Sequence, residues 1–228
     1  MFKTIYLTIL LSVIILLNFI NFSYSNPISA WEKSASSVVS VLPTWPGFKK
    51  PGFGAPPGTA PEGTGIVISS SGHVLTASHV VKRANLIEIR DINGNKFNAK
   101  LILDDPNTDL AIIKAKIDIT PINISKDKPK IASSACLISN SFGLDLGITC
   151  GVVSAIGRKN TGFNKIENFI QTDAAANPGS SGGALVDKNG ELIGMMSGIF
   201  TKNTDTNSGV NFAVSSDLIL KIIPIEIN

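Results

Sequence analysis

The run Ala175-Ala176-Asn177-Pro178-Gly179-Ser180-Ser181-Gly182-Gly183 admits two readings. In one it is a Gly/Ser turn between two strands. In the other it presents Ser181 as a nucleophile. That use requires a hydroxyl exposed on a tight turn, with backbone N–H groups beside it to hold the negative oxygen of an attacked carbonyl. Glycines on both sides let the chain bend and leave room for a substrate. Gly179, Ser180 and Ser181 are the candidate donors of such an oxyanion hole, with the N–H groups of Gly179 and Ser181 foremost.

Two other segments supply what Ser181 would need. His79, in Thr76-Ala77-Ser78-His79-Val80-Val81, follows the apolar stretch Gly65–Ile68 and the turn at Ser71-Gly72. It sits just past a hairpin strand, where a general base can face a cleft. Asp109, in Asn107-Thr108-Asp109-Leu110-Ala111, lies at the mouth of an apolar strand. A carboxylate there can accept from the second imidazole nitrogen and fix the tautomer. Asp104 and Asp105 compete for the role, but they precede Pro106 in an evident turn. His73 is expected at the surface. The order His, Asp, Ser also excludes the G-x-S-x-G elbow of α/β-hydrolases, in which the histidine comes last. Both histidines of this chain precede Ser181.

The chain resembles the protease domain of the HtrA/Deg family of trypsin-like serine proteases. The matching stretches include Gly63-Thr64-Gly65-Ile66-Val67-Ile68, Leu75–Val81, Thr108-Asp109-Leu110-Ala111 and Ser141-Phe142-Gly143-Leu144. Gly151–Arg158, Glu167–Ala175, Gly183–Val186 and Gly190–Gly194 continue them, and the similarity covers about residues 33 to 223. The resemblance implies an all-β fold of two six-stranded antiparallel β-barrels with the catalytic cleft between them. It implies His79 as base, Asp109 as orienting acid and Ser181 as nucleophile of a serine endopeptidase.

The start of the chain reads as an address. Lys3 precedes the apolar run Ile5–Ile20, and Ser23 and Ser25 are small residues suited to cleavage before Asn26. Residues 1–25 are expected to be a signal peptide; a retained membrane anchor is the alternative. The remaining 203 residues suffice for one sizeable core or two small barrels. Their net charge of +2, with no basic run, gives no reason to expect nucleic acid as a partner. Apolar, β-branched runs recur at Val38–Leu42, Gly65–Ser69, Leu86–Arg90, Ala111–Ala115, Ala135–Ser139, Gly151–Ile156, Ala184–Val186, Leu192–Ser197 and Val210–Val214. Asn93-Gly94 and Asn189-Gly190 are hairpin signals. Such a pattern favours a barrel or a sandwich. Helix is expected only near Ile28–Ser37 and Ser216–Ile223. The first barrel is expected over about 33–120 and the second over about 128–220, with Lys116–Lys130 between them.

Cys136 and Cys150 fall on consecutive predicted strands, symmetric about Gly143. Facing residues of an antiparallel pair lie about 4.5–5.5 Å apart at Cα, within disulfide reach. Export would favour a bridge; two buried thiols are the alternative. Neither cysteine has a turn like that of Ser181, and two histidines far from the cysteines give no metal-ligand spacing. No cofactor or metal is expected.

Further expectations follow from the resemblance. Ala175, six residues before Ser181, takes the floor of the pocket for the side chain preceding the cut. No carboxylate there selects Lys or Arg. Ala176 replaces a commonly larger aliphatic residue, and Met195, Met196 and Ser197 form the wall. Cleavage after small or medium apolar residues of unfolded, exported polypeptides is expected. Ser180 replaces the Asp that receives a freed N-terminal amine in relatives activated by cleavage, so control is expected from loops instead. The candidate loops are Pro43–Glu62, Ser139–Gly147, Arg158–Glu167 and Phe200–Ser208. Most of the family continues into PDZ domains, and none is expected in this sequence. Trp31, Trp45, Phe48 and Phe53 could build a homotrimer contact or belong to a Pro/Gly-rich loop. The rival functions are a chaperone-like or peptide-binding module without turnover, and an esterase using the same three residues. A periplasmic or secreted location is expected, with membrane contact only if the leader stays attached.

Overall fold

The computed structural model describes residues 27–48, 61–199 and 207–224. Phe53, the expected leader and most of the loop 200–208 therefore lie outside the described residues.

Twelve strands form the described fold. β1 (Val38–Thr44), β2 (Gly63–Val67), β3 (His73–Ala77), β4 (Leu86–Arg90), β5 (Lys96–Asp105) and β6 (Leu110–Ala115) close one barrel. β7 (Ser134–Ser139), β8 (Gly147–Arg158), β9 (Phe169–Thr172), β10 (Ala184–Val186), β11 (Leu192–Ile199) and β12 (Asn211–Ser215) close the other. The strand orders are β1-β2-β3-β6-β5-β4 and β10-β11-β12-β9-β8-β7, each ring shut by its end strands. Every pairing between these strands is antiparallel. Closure leaves no open sheet edge for another chain to extend.

Period-two alternation builds the core of the second barrel. On β7, Ala135 and Leu137 face an inner cluster with Ile170, Leu185 and Met196. Cys136 and Ile138 face the other way, into the cluster that joins the two barrels. These strands are buried on both faces, which explains why they read as continuous apolar runs. Short helices cap the fold: α1 (Pro27–Ser34), the single turn α2 (Ser78–Val81) and α3 (Ser216–Ile222). A Ser215 hydroxyl accepts from the Leu218 N–H and starts α3. The connecting segment after β6 touches both barrels. Ile122 N–H donates to the Val67 carbonyl and Ser125 N–H to the Leu192 carbonyl, at 2.9 Å each.

Cys136 and Cys150 are register partners on β7 and β8 and are joined as a disulfide, with Cα atoms 4.1 Å apart. Three expectations need correction. Helix was expected only near Ile28–Ser37 and Ser216–Ile223, yet Ser78–Val81 forms a helical turn. β5 and β9 are strands that the apolar pattern did not mark. And His73 is buried, only 8% exposed, rather than at the surface. The Ser69 and Ser71 hydroxyls hold its Nδ1 at 2.7 and 2.9 Å. Burial, aided by Lys114 directly opposite on β6, pushes the His73 imidazole below its ordinary value.

Candidate active site

The end of β3 pairs with the start of β6, Ala77 opposite Leu110. That register brings α2, which leaves β3, against Asp109, which enters β6. Ser78 N–H donates to the Asp109 carbonyl at 3.0 Å. His79 N–H donates to Asp109 Oδ1 at 3.0 Å. The His79 ring meets the same carboxylate through Nδ1, 3.0 Å from Oδ1 and 2.9 Å from Oδ2. Asp109 is 7% exposed and has φ of 62°, an uncommon conformation for a residue with a Cβ. Of the competing acids, Asp105 is occupied by its own turn, accepting from Thr108 Oγ1 at 2.6 Å, and Asp104 is exposed on β5.

Ser181 comes from the second barrel, on the turn before β10. Gly179 and Gly182 carry φ of 95° and 85°. A Cβ at Gly182 would collide with the Thr64 carbonyl. The turn is sewn to the first barrel: Thr64 N–H donates to the Ser181 carbonyl and Thr64 Oγ1 to the Gly179 carbonyl, both at 2.8 Å. Gly63 marks how close α2 and the serine turn come. A Cβ there would meet Val80 Cγ1 at 2.7 Å and the Ser181 carbonyl oxygen at 3.4 Å.

The three candidate donors differ. Ser180 N–H is already donated to the Asn177 carbonyl at 2.8 Å, which removes it from the expected set. The Ser180 side chain is buried and accepts from Asn177 N–H at 3.1 Å and Ser139 Oγ at 3.0 Å. The N–H groups of Gly179 and Ser181 make no hydrogen bond among the described residues. Phe142 N–H holds the Pro178 carbonyl at 2.6 Å. The described chain has no cis peptide bonds. In a trans peptide, C=O and N–H point opposite ways. Fixing the Pro178 oxygen on Phe142 therefore turns Gly179 N–H to the other side of that peptide.

The expected pocket residues divide by burial. Ala176, Met195 and Met196 are at most 1% exposed and stand behind any pocket surface. Ala175 is half-buried, and its carbonyl accepts from Thr149 Oγ1 at 2.7 Å. Ser197, expected as pocket wall, donates its hydroxyl to Asp109 Oδ2 at 2.7 Å. A register shift between Met196 and Gly198 lies at that point of β11. Asn211, unmarked in the sequence reading, donates Nδ2 to the Ala174 carbonyl at 2.9 Å and fixes the chain just before Ala175.

Of the expected control loops, residues 158–167 pack on the turn before Asp109. Ile166 N–H donates to the Asn107 carbonyl at 2.8 Å, and Asn164 Nδ2 to the Thr108 carbonyl at 3.0 Å. Burial alone would raise the Glu167 carboxyl. Donors from Thr161, Asn164 and Phe163 outweigh it and hold the carboxyl below its ordinary range. Trp45 donates Nε1 to the Val80 carbonyl at 3.1 Å and meets Phe48 edge to face, while Trp31 packs against the core. Among the described residues, no group of His, Cys, Asp and Glu could hold a metal ion.

Two antiparallel barrels that bring a serine turn to a histidine–aspartate pair define the chymotrypsin-like class. The profile of the trypsin-like peptidase domain matches residues 63–195, and the chain belongs to that family. It is 40% identical over 161 residues to the periplasmic serine endoprotease DegP of Salmonella typhimurium, covering 69% of this chain and 34% of DegP. It is 41% identical over 160 residues to the periplasmic pH-dependent serine endoprotease DegQ of Escherichia coli, covering 68% of this chain and 35% of DegQ. The chain thus spans about a third of the length of the curated relatives it matches. Among solved structures, the HtrA-type protease AlgW with a tripeptide superposes with a TM-score of 0.78 at 34% identity, covering 86% of this chain and 62% of AlgW. A serine endoprotease from Yersinia pestis gives 0.72 at 31%, covering 86% of this chain and 65% of the other.

Proposed function

We propose that the chain is a serine endopeptidase acting through Ser181, His79 and Asp109. The observation that carries this reading is the Asp109 carboxylate on His79 Nδ1. It keeps the proton on Nδ1 and leaves Nε2 as the basic nitrogen, on a side chain 42% exposed. Ser197 and His79 N–H both hold that carboxylate, so the ring is oriented before substrate arrives.

The chemistry follows from these positions. Ser181 Oγ attacks the scissile carbonyl carbon while its proton passes to His79 Nε2. The carbonyl π pair becomes an oxyanion, held by the N–H groups of Gly179 and Ser181. As the tetrahedral centre collapses, the C–N bond breaks and His79 returns the proton to the leaving amine. Water, deprotonated by the same nitrogen, then attacks the ester, and Ser181 Oγ leaves with the proton. The imidazolium formed midway in each half is stabilised by Asp109.

The substrates are unfolded polypeptides, cut after small or medium apolar residues. Ala175 at the pocket floor supports that preference, since it offers no charge. Export is supported by the leader-like start of the sequence and by relatives named as periplasmic. Mature protein with unfolded casein, beside Ser181→Ala, tests the proposal. Cleavage by the first and none by the second is expected. Cleavage by both overturns the serine mechanism, and cleavage by neither favours a binding module.

A further inference from the structure

The Phe142 amide that turns the Pro178 carbonyl sits on a short loop whose own bonds are Gly143 N–H to the Asn140 carbonyl at 3.3 Å, Leu144 N–H to the Ser141 carbonyl at 3.2 Å and a Ser141–Ser180 hydroxyl contact at 2.9 Å. Phe142 and Asp145 have φ of 60° and 69°, uncommon for residues with a Cβ, and Phe142 and Leu144 are exposed. Residues in such conformations persist only where their surroundings over-determine them.

A further restraint comes from the other barrel. Arg90, the last residue of β4, forms an ion pair with Asp145, Nη2 to Oδ1 at 2.6 Å, and donates Nη2 to Glu62 Oε2 at 3.1 Å. The same Glu62 oxygen accepts from Asn140 Nδ2 at 2.7 Å. One guanidinium thus grips both ends of the loop, Asp145 directly and Asn140 through Glu62. The Arg90 and Glu62 side chains are 18% and 14% exposed, whereas Asp145 is 77% exposed. The Glu62 arm is therefore shielded and the Asp145 arm screened by solvent. Asn140 is wholly buried and its Oδ1 has no partner among the described residues, so the Nδ2 bond to Glu62 is what orients its amide. Asn140 N–H also donates to Thr64 Oγ1 at 2.9 Å, the hydroxyl that holds the Gly179 carbonyl. Both peptides flanking Gly179 are thus tied to the gripped loop.

We propose that Arg90 is a positioning residue for the oxyanion turn. Through Glu62–Asn140 and through Asp145 it keeps the Phe142 amide on the Pro178 carbonyl, and so keeps Gly179 N–H turned toward the reacting carbonyl. The proposal rests on the serine endopeptidase reading above.

The test compares Arg90→Met, Arg90→Lys, Glu62→Gln and Ser181→Ala on a fluorogenic peptide with alanine before the cut. Fluorophosphonate labelling rates and unfolding midpoints are measured alongside. Loss of one oxyanion donor costs about a hundredfold or more in kcat. For Arg90→Met, a loosened donor should cost at least about tenfold in kcat with KM changed less than about twofold. Labelling should slow in parallel, and Arg90→Lys should recover part of both because an ammonium still reaches Glu62. If Arg90→Met does not fold, Glu62→Gln reads the same arm, and its kcat should fall. Unchanged kcat in the folded variant overturns the proposal. So does loss of kcat that only tracks the unfolding midpoint and is not recovered by Arg90→Lys. Cleavage that survives Ser181→Ala overturns the endopeptidase reading and the positioning role with it. Cleavage lost in Ser181→Ala but unchanged in Arg90→Met overturns the positioning role alone.

Discussion

Asp109 does three things with one carboxylate. It receives the His79 ring, receives the His79 backbone amide, and is itself held by Ser197. An amide in its place would present an NH2 group to at least one of these donors and favour the wrong imidazole tautomer. Asp109→Asn should therefore lower kcat by about three to four orders of magnitude while the fold is kept. Peptide turnover and circular dichroism on the same preparation check this; a loss below about tenfold would remove Asp109 from the mechanism. The three candidate residues could be named from the sequence because their types, order and flanking strands agree. Ser180 was not, because its N–H is consumed by a carbonyl three residues earlier, a matter of turn geometry. Ser197 was expected only as pocket wall, because its bond to Asp109 Oδ2 crosses from β11 to the first barrel and leaves no signal in the local sequence.

At the scale of elements, the β2–β3 hairpin carries a pH signature. His73 is held below its ordinary value in the fold, so the unfolded chain binds the proton more tightly. Its contribution is complete above the unfolded value of about 6.5 and is lost as pH falls through the lower folded value. Denaturant melts between pH 7 and pH 5 should show this loss, and His73→Gln should flatten it. A wild-type profile parallel to that of the variant would contradict the account. Strands with an apolar pattern were legible in the sequence: β4 and β10 run over the residues expected for them. β5 escaped notice because it has no continuous apolar run: Phe97, Ala99 and Leu103 pack one face against the core, while Lys96, Asn98 and Lys100 interrupt the run from the exposed face. β9 is four residues long, too short for alternation to register. The disulfide was half legible: symmetry about Gly143 placed the cysteines opposite each other, but pairing required an unslipped register between β7 and β8.

Across the whole molecule, the site exists because two barrels meet. Neither holds the full set: His79 and Asp109 belong to the first, while Ser181, Ser197 and the Phe142 loop belong to the second. Thr64, Glu62 and Arg90 join them from the first side. Local periodicity left barrel and sandwich undecided, since closure depends on β1–β4 and β7–β10 pairings between residues distant in sequence. The family resemblance supplied the two rings. The inter-barrel bonds that shape the serine turn had no sequence signal of their own. The central claim is that this meeting of barrels activates one serine. The most direct measurement is mass spectrometry of the protein after fluorophosphonate treatment, with His79→Ala in parallel. A single adduct on Ser181 that disappears in His79→Ala is the expected result. An adduct on another residue, or equal labelling of Ser181 without His79, would contradict the account.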